Sequence, residues 1–147
     1  MNSDRNSSDV LVIDASLILR LTIENPTKPI VENYFNRWYE AKFSFIAPTL
    51  WVYEITSTVN KLVHFGDLEE EAGKMAIEQI MQTHVELIHP TESLAKSAFD
   101  WTRKLKRASA YDSFYLALAD EYNAPFWTAD GNLLRSTNVE WIHLGTE

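Results

Sequence analysis

Residues 10–19 read VLVIDASLIL. Four apolar residues run without alternation and stop at an acid, Asp14. An uninterrupted apolar run of this length suits a strand covered on both faces, as in a parallel sheet flanked by helices. Ser16 to Thr22 then reads as a short helix, stopped near Asn25-Pro26, where the residue before proline is pushed out of the helical region. The stretch thus predicts a β-strand, an acid at its carboxyl end and a helix returning from it.

The same alternation continues along the chain. Ile30, Tyr34, Trp38 and Ala41 recur at helical spacing, predicting a helix over 29–41 with those residues on its apolar face. Phe43 to Ala47 is a second strand, closed by Pro48, and Thr49 to Leu62 a helix carrying Ile55, Val59 and Leu62 on one stripe. A helix from about Asp67 to Thr83 presents Leu68, Ala72, Met75 and Ile80; Val85 to His89 is a third strand. A helix with Leu94, Ala98, Trp101 and Leu105 follows, then one from about Asp112 to Tyr122. Pro125–Thr128 and Val139–Leu144 complete five strands, with a short helix after Asp130-Gly131 between them. Strands alternating with helices define an α/β domain with a mainly parallel sheet. One domain over 10–147 is expected, after a mobile Ser/Asn-rich tail at 1–9.

Composition narrows the function. The chain of 147 residues carries no cysteine, which excludes disulfides, Cys-ligated zinc and a thiol nucleophile. No apolar run is long enough to span a bilayer, and MNSDRNSSD lacks the apolar core of a signal peptide, so a cytoplasmic protein is expected. The net charge of −8 speaks against simple electrostatic binding of nucleic acid. Its distribution is uneven, however. Eight acids and two bases fall between residues 67 and 100, directly before the basic run Arg103-Lys104-Leu105-Lys106-Arg107. That run reads either as the cationic C-terminus of a helix or as a phosphate-binding patch.

Acids recur where open α/β sheets bind ligands, beyond the carboxyl ends of the strands. Asp14 follows the first strand and Asp130 the fourth, while Asp112 opens a helix. Glu54 lies a turn into the helix after the second strand, amid Leu50-Trp51-Val52-Tyr53 and Ile55, where an acid is costly to bury unless paired. Singly, Asp14 and Asp112 also read as helix caps and Asp130 as a turn residue. Together, four carboxylates would repel one another unless a divalent cation joined them, and hard oxygen ligands select Mg²⁺ or Mn²⁺.

Four motifs carry a resemblance. VIDASLIL holds Asp14 and Ser16, APTLWVYEITSTV holds Glu54, AYDSFYLALADEY holds Asp112, and FWTADGNLL holds Thr128 and Asp130. In order and spacing the chain resembles the PIN-domain nucleases over residues 10–144, and among them the VapC-type toxin ribonucleases of toxin–antitoxin modules. The resemblance implies a three-layer α/β/α domain with a central, mainly parallel five-stranded sheet. It implies Mg²⁺- or Mn²⁺-dependent endoribonuclease activity, with Asp14, Asp112 and Asp130 as metal ligands and Glu54 as a fourth, direct or through water. Water would attack phosphorus in line, with no covalent intermediate. Ser16 and Thr128 would orient the carboxylates. A homodimer and a small antitoxin partner are implied too. Ser57 departs from the asparagine common in relatives three residues after the glutamate. Arg103, Lys104, Lys106 and Arg107 are candidates to guide RNA, as are Arg20 and Lys61.

Other readings fit less well. A haloacid-dehalogenase phosphatase needs a second Asp where Ser16 stands, and a receiver domain needs a lysine after the last strand, where none follows Arg107. Dinucleotide binding needs a glycine-rich turn, yet Gly66, Gly73, Gly131 and Gly145 are isolated. The serious rival is a PIN scaffold used for protein interaction with little nuclease activity. His64, His84, His89 and His143 fall in no motif and read as structural or surface residues. Asp120 reads as part of a solvated helix face, with a place near the site as the alternative.

Overall fold

A computed structural model describes residues 9–107 and 109–147. The expected mobile tail therefore lies outside the described residues, apart from Asp9, whose carbonyl accepts from the Ser44 N–H at 2.8 Å. In chain order the elements are β1 (Val10–Ile13), α1 (Ala15–Thr22), α2 (Lys28–Glu40), β2 (Ser44–Pro48), α3 (Leu50–His64) and α4 (Glu70–Met81). They continue with β3 (Val85–Ile88), α5 (Glu92–Leu105), α6 (Tyr111–Tyr122), β4 (Phe126–Thr128), α7 (Gly131–Ser136) and β5 (Ile142–Leu144).

The five strands form one parallel sheet in the order β3-β2-β1-β4-β5. The apolar run that opens the sequence becomes its middle strand, and Leu11, Val12 and Ile13 are all buried. Both flanks of β1 are in register, with Val12 beside Ile46 of β2 on one side and Phe126 of β4 on the other. The chain leaves β1 in one direction through β2 and β3, then returns to place β4 on the opposite side. The strand order reverses there, and such a switch point opens a crevice beyond the carboxyl ends.

Helices α1, α2, α3 and α4 pack in one group around α1, and α5 and α6 form a second, with α6 lying against β1, β2 and β4. α6 is buried along most of its length, from Ser113 and Tyr115 through Ala119, because it faces the sheet while α5 covers its other side. Trp101 of α5 donates its indole N–H to Asp120 at 2.7 Å. Asp120 is therefore half-buried and tied to α5, rather than standing on an open helix face.

Two apolar faces differ from the spacing-based expectation. On α2 the buried residues are Val31, Phe35 and Trp38, while Ile30 is 40% exposed. On α4 they are Gly73, Ala76 and Ile80, while Met75 is 58% exposed. Apolar residues stand next to one another at 30–31 and 34–35, so two stripes one residue apart both fit the period, and packing decides between them. On α4, Gly73 lies so close to α3 that a Cβ there would stand 3.1 Å from both Val59 and Val63.

Near the end of the chain, Gly145 donates its N–H to the Thr128 carbonyl and lies against Leu17, where a Cβ would stand 2.6 Å from Leu17 Cδ1. Leu17 is fully buried and has little room to retreat. Gly145→Ala is expected to destabilise the fold by about 1–3 kcal/mol, as overpacking does. Urea unfolding measures it, and an unchanged midpoint would contradict the close approach.

Candidate active site at the strand ends

Asp14 is the residue on which the rim is built. Its N–H continues the β1–β4 ladder by donating to the Trp127 carbonyl at 3.3 Å, and it then caps α1 by accepting from the Leu17 N–H at 3.1 Å. Capping and a strand-end site are thus the same placement. Ser16 donates to Oδ1 at 2.6 Å and Thr128 to Oδ2 at 2.5 Å. The same hydroxyls also accept, Ser16 from the Ala129 N–H and Thr128 from the Asp130 N–H. Burial nevertheless pushes the Asp14 carboxyl up to about 6, against the lowering effect of these bonds, with a smaller push from the charge of Asp112.

Glu54 lies on the first half of α3, half-buried, and accepts from the Tyr115 hydroxyl at 2.5 Å. Its carboxyl rises to about 7, first through burial and then through repulsion from Asp112 and Asp14, although the tyrosine bond lowers it. Asp112 is in the first turn of α6 and is likewise raised, by burial and by Asp130, while Arg107 beside it opposes the shift. Asp130 caps α7, its Oδ1 accepting from the N–H groups of Asn132 and Leu133. The four acids are thus linked by mutual repulsion around one rim. Among the described residues, however, no three acidic or histidine side chains are placed so as to share one cation. Each acid already commits an oxygen elsewhere: Glu54 to Tyr115, Asp112 to Arg107, Asp130 to its own helix.

Of the basic candidates, Arg107 alone is held at the carboxylates. Lys106 adopts the left-handed conformation that ends α5, and Arg107 turns back to contact Asp112 at 3.2 Å and the Ser136 hydroxyl at 2.9 Å. Arg103 and Lys104 remain exposed in the last turn of α5, with the Lys104 ammonium over the Trp101 ring. Lys61 shares a groove with Glu54. Arg20 shares one with Ser16 while donating to the Thr27 hydroxyl at 3.1 Å. His64, His84 and His89 are exposed, and the His143 ring stacks on Trp127.

Tyr115 is the site residue that the sequence reading passes over. Its ring is buried and stacked on Phe126, and its hydroxyl takes the Ala15 N–H as well as serving Glu54. Burial and the neighbouring acids hold its own ionisation well above the usual value, so it remains a donor at neutral pH. The available signal was its position three residues after Asp112, on the same side of a helix.

Comparison with known proteins places the chain. It belongs to the PIN domain family, whose match covers residues 12–144. Among solved structures it shares the fold of VapBC2 from Rickettsia felis bound to a promoter DNA fragment, at 12% identity, with 92% of this chain and 98% of that one covered and a TM-score of 0.67. VapC20 from Mycobacterium tuberculosis, described as a Sarcin-Ricin loop cleaving toxin, gives 19% identity, 88% and 97% coverage and a TM-score of 0.61. A toxin–antitoxin complex from Klebsiella pneumoniae gives 12% identity, 92% and 97% coverage and a TM-score of 0.65. No curated protein matches the chain.

The raised carboxyls have a consequence for stability without added metal. A native acid titrating above its unfolded value holds its proton longer than the unfolded chain does, so its contribution falls as pH rises from about 4 to about 7. Replacing Asp14 by Asn removes that burden. Asp14→Asn is expected to gain Tm relative to wild type at pH 8 in EDTA, and to lose the advantage near pH 4.5. Thermal melts across pH test this, and a pH-independent difference would refute it.

Proposed function

We propose that this PIN-domain chain is a divalent-metal-dependent endoribonuclease, the cytoplasmic toxin of a toxin–antitoxin pair. The observation that carries the reading is the buried Asp14 carboxylate at the switch point, held by Ser16 and Thr128 and repelled by Asp112. An acid kept in such a place at a cost in stability is typical of a functional site. The donor set fits Mg²⁺ or Mn²⁺, being all hard oxygen. As placed, no three of these acids share one cation. Asp14, Asp112 and Asp130 would hold the ion, with Glu54 direct or through water, once Asp112 and Asp130 turn from their present partners. When bound, it supplies water activation and charge neutralisation at the phosphate.

The chain's own groups divide the remaining work. Ser16 and Thr128 hold Asp14 in one orientation. Glu54, whose carboxyl burial raises in the metal-free site, stands where it could take a proton from attacking water if it reaches the ion through water. Tyr115 fixes the direction of Glu54. Arg107 brings a fixed positive charge to the rim for a phosphodiester. The toxin–antitoxin complexes that share the fold support a small protein partner, and a homodimer is part of the same reading. Among the described residues no helix is long and apolar enough to cross a membrane.

Purified protein is expected to cleave RNA with Mn²⁺ or Mg²⁺ and to gain thermal stability on Mn²⁺ titration, as any ligand of the native state confers. Asp14→Asn and Asp112→Asn should abolish both effects. Thr128→Val should lower activity about 10–100-fold, the usual cost of losing a group that orients a ligand. If wild type and both Asn variants are equally inert on varied structured RNAs, the chain is a protein-interaction module instead.

A further inference from the structure

Two large aromatic side chains stand unusually open beside the carboxylates. Tyr53 is 73% exposed and Tyr111 is 69% exposed. Each immediately precedes a candidate ligand, Glu54 and Asp112 respectively. Both line one groove of about 500 Å³ with Glu54, Ser57, Thr58 and Lys61. Tyr111 also borders the neighbouring cavity that holds Glu54, Arg107 and Asp112. On a further side it borders an apolar pocket of about 150 Å³ with Pro48, Ile88 and Phe114. It stands where the three cavities meet.

We infer that this groove is a nucleotide subsite that holds one unpaired base of the substrate next to the scissile phosphate. The inference rests on the nuclease reading and adds to it two residues that would hold the substrate, Tyr53 and Tyr111. Tyr111 offers a stacking face one residue from Asp112, and Tyr53 flanks the groove from α3. Lys61 supplies a cation for the adjoining phosphate, and the hydroxyls of Ser57 and Thr58 offer donors and acceptors to a base edge. Stacking platforms paired with a backbone cation are how proteins grip unpaired nucleic acid. A base inside a duplex has both faces covered by its neighbours and cannot take such a platform. The other strongly exposed apolar side chains, such as Phe65 and Phe99, line none of these three cavities. Lys61 and Arg107 favour a polyanion over an apolar protein segment as the occupant.

The test separates binding from cleavage. Fluorescence anisotropy in EDTA measures the affinity of the full chain for a labelled oligoadenylate and for a blunt RNA duplex of equal length. Tyr53→Ala and Tyr111→Ala should each weaken oligoadenylate binding about tenfold, the worth of one stacked base, and leave the duplex unaffected. Tyr111→Phe, which keeps the ring, should bind like wild type, and Phe99→Ala on α5 should be silent. Unchanged oligoadenylate affinity in both alanine variants overturns the subsite and leaves the aromatic pair to a protein partner. Tighter binding of the duplex overturns it as well. If wild type still cleaves RNA with metal while the alanine variants bind normally, this inference alone fails. If wild type neither binds nor cleaves RNA, it fails together with the nuclease reading.

Discussion

The hydrogen bond from Thr128 to Asp14 joins residues 114 positions apart, and most of the rim depends on it. It exists because β4 returns to the side of β1 that β2 leaves open, setting Trp127 beside Ile13 and hence Thr128 beside Asp14. The pairing does more than satisfy a carboxylate. Thr128 also receives the Asp130 N–H and Ser16 the Ala129 N–H, so the turn that presents Asp130 is closed by the same hydroxyls that hold Asp14. A buried charge without such partners costs several kcal/mol. Hydrogen bonds to a charged group return ~1.5–3 kcal/mol each. They do not fully offset burial here, since the carboxyl still sits near 6.

The net charge of −8 describes little of this local balance. All eight acids between residues 67 and 100 are exposed, several of them opening α4 and α5, where the helix dipole favours negative charge. They lie outside the site. At the rim the acids are four, and cations stand among them: Arg107 against Asp112, and Lys61 in the Glu54 groove. An overall acidic protein can therefore present a mixed field where a phosphodiester would lie. The distribution decides the matter, not the sum.

Much of this was legible in the sequence, for physical reasons. Unbroken apolar runs mark strands buried on both faces, and acids at their ends follow from where a parallel sheet opens to solvent. What failed was anything that required knowing which elements meet. Ile30 and Val31 both fit a helical stripe, and only packing chose Val31. Tyr115 looks like core because it is core; its hydroxyl matters only because α6 crosses to the end of α3. Asp120 on a polar-looking helix position proved to serve Trp101, a contact nineteen residues away in the chain. The basic run reads as one patch, yet the left-handed Lys106 splits it and sends Arg107 alone to the acids.

The two halves of the rim also differ in how firmly they are held. Asp14 is buried and bound by donors that are themselves buried or half-buried, so its orientation is fixed by the fold. The Arg107–Asp112 pair is looser, with side chains 29% and 41% exposed. An ion pair open to water contributes only about 0–1 kcal/mol, because solvent screens it and holding two long side chains costs entropy. Little is therefore lost when Asp112 exchanges its guanidinium for another cation. If a divalent cation took Asp112, Arg107 would be released toward the cavity it shares with Glu54 and Asp112. One half of the rim fixes the geometry, while the other exchanges partners at small cost, which is what a site must do if a cation and a phosphate are to enter together.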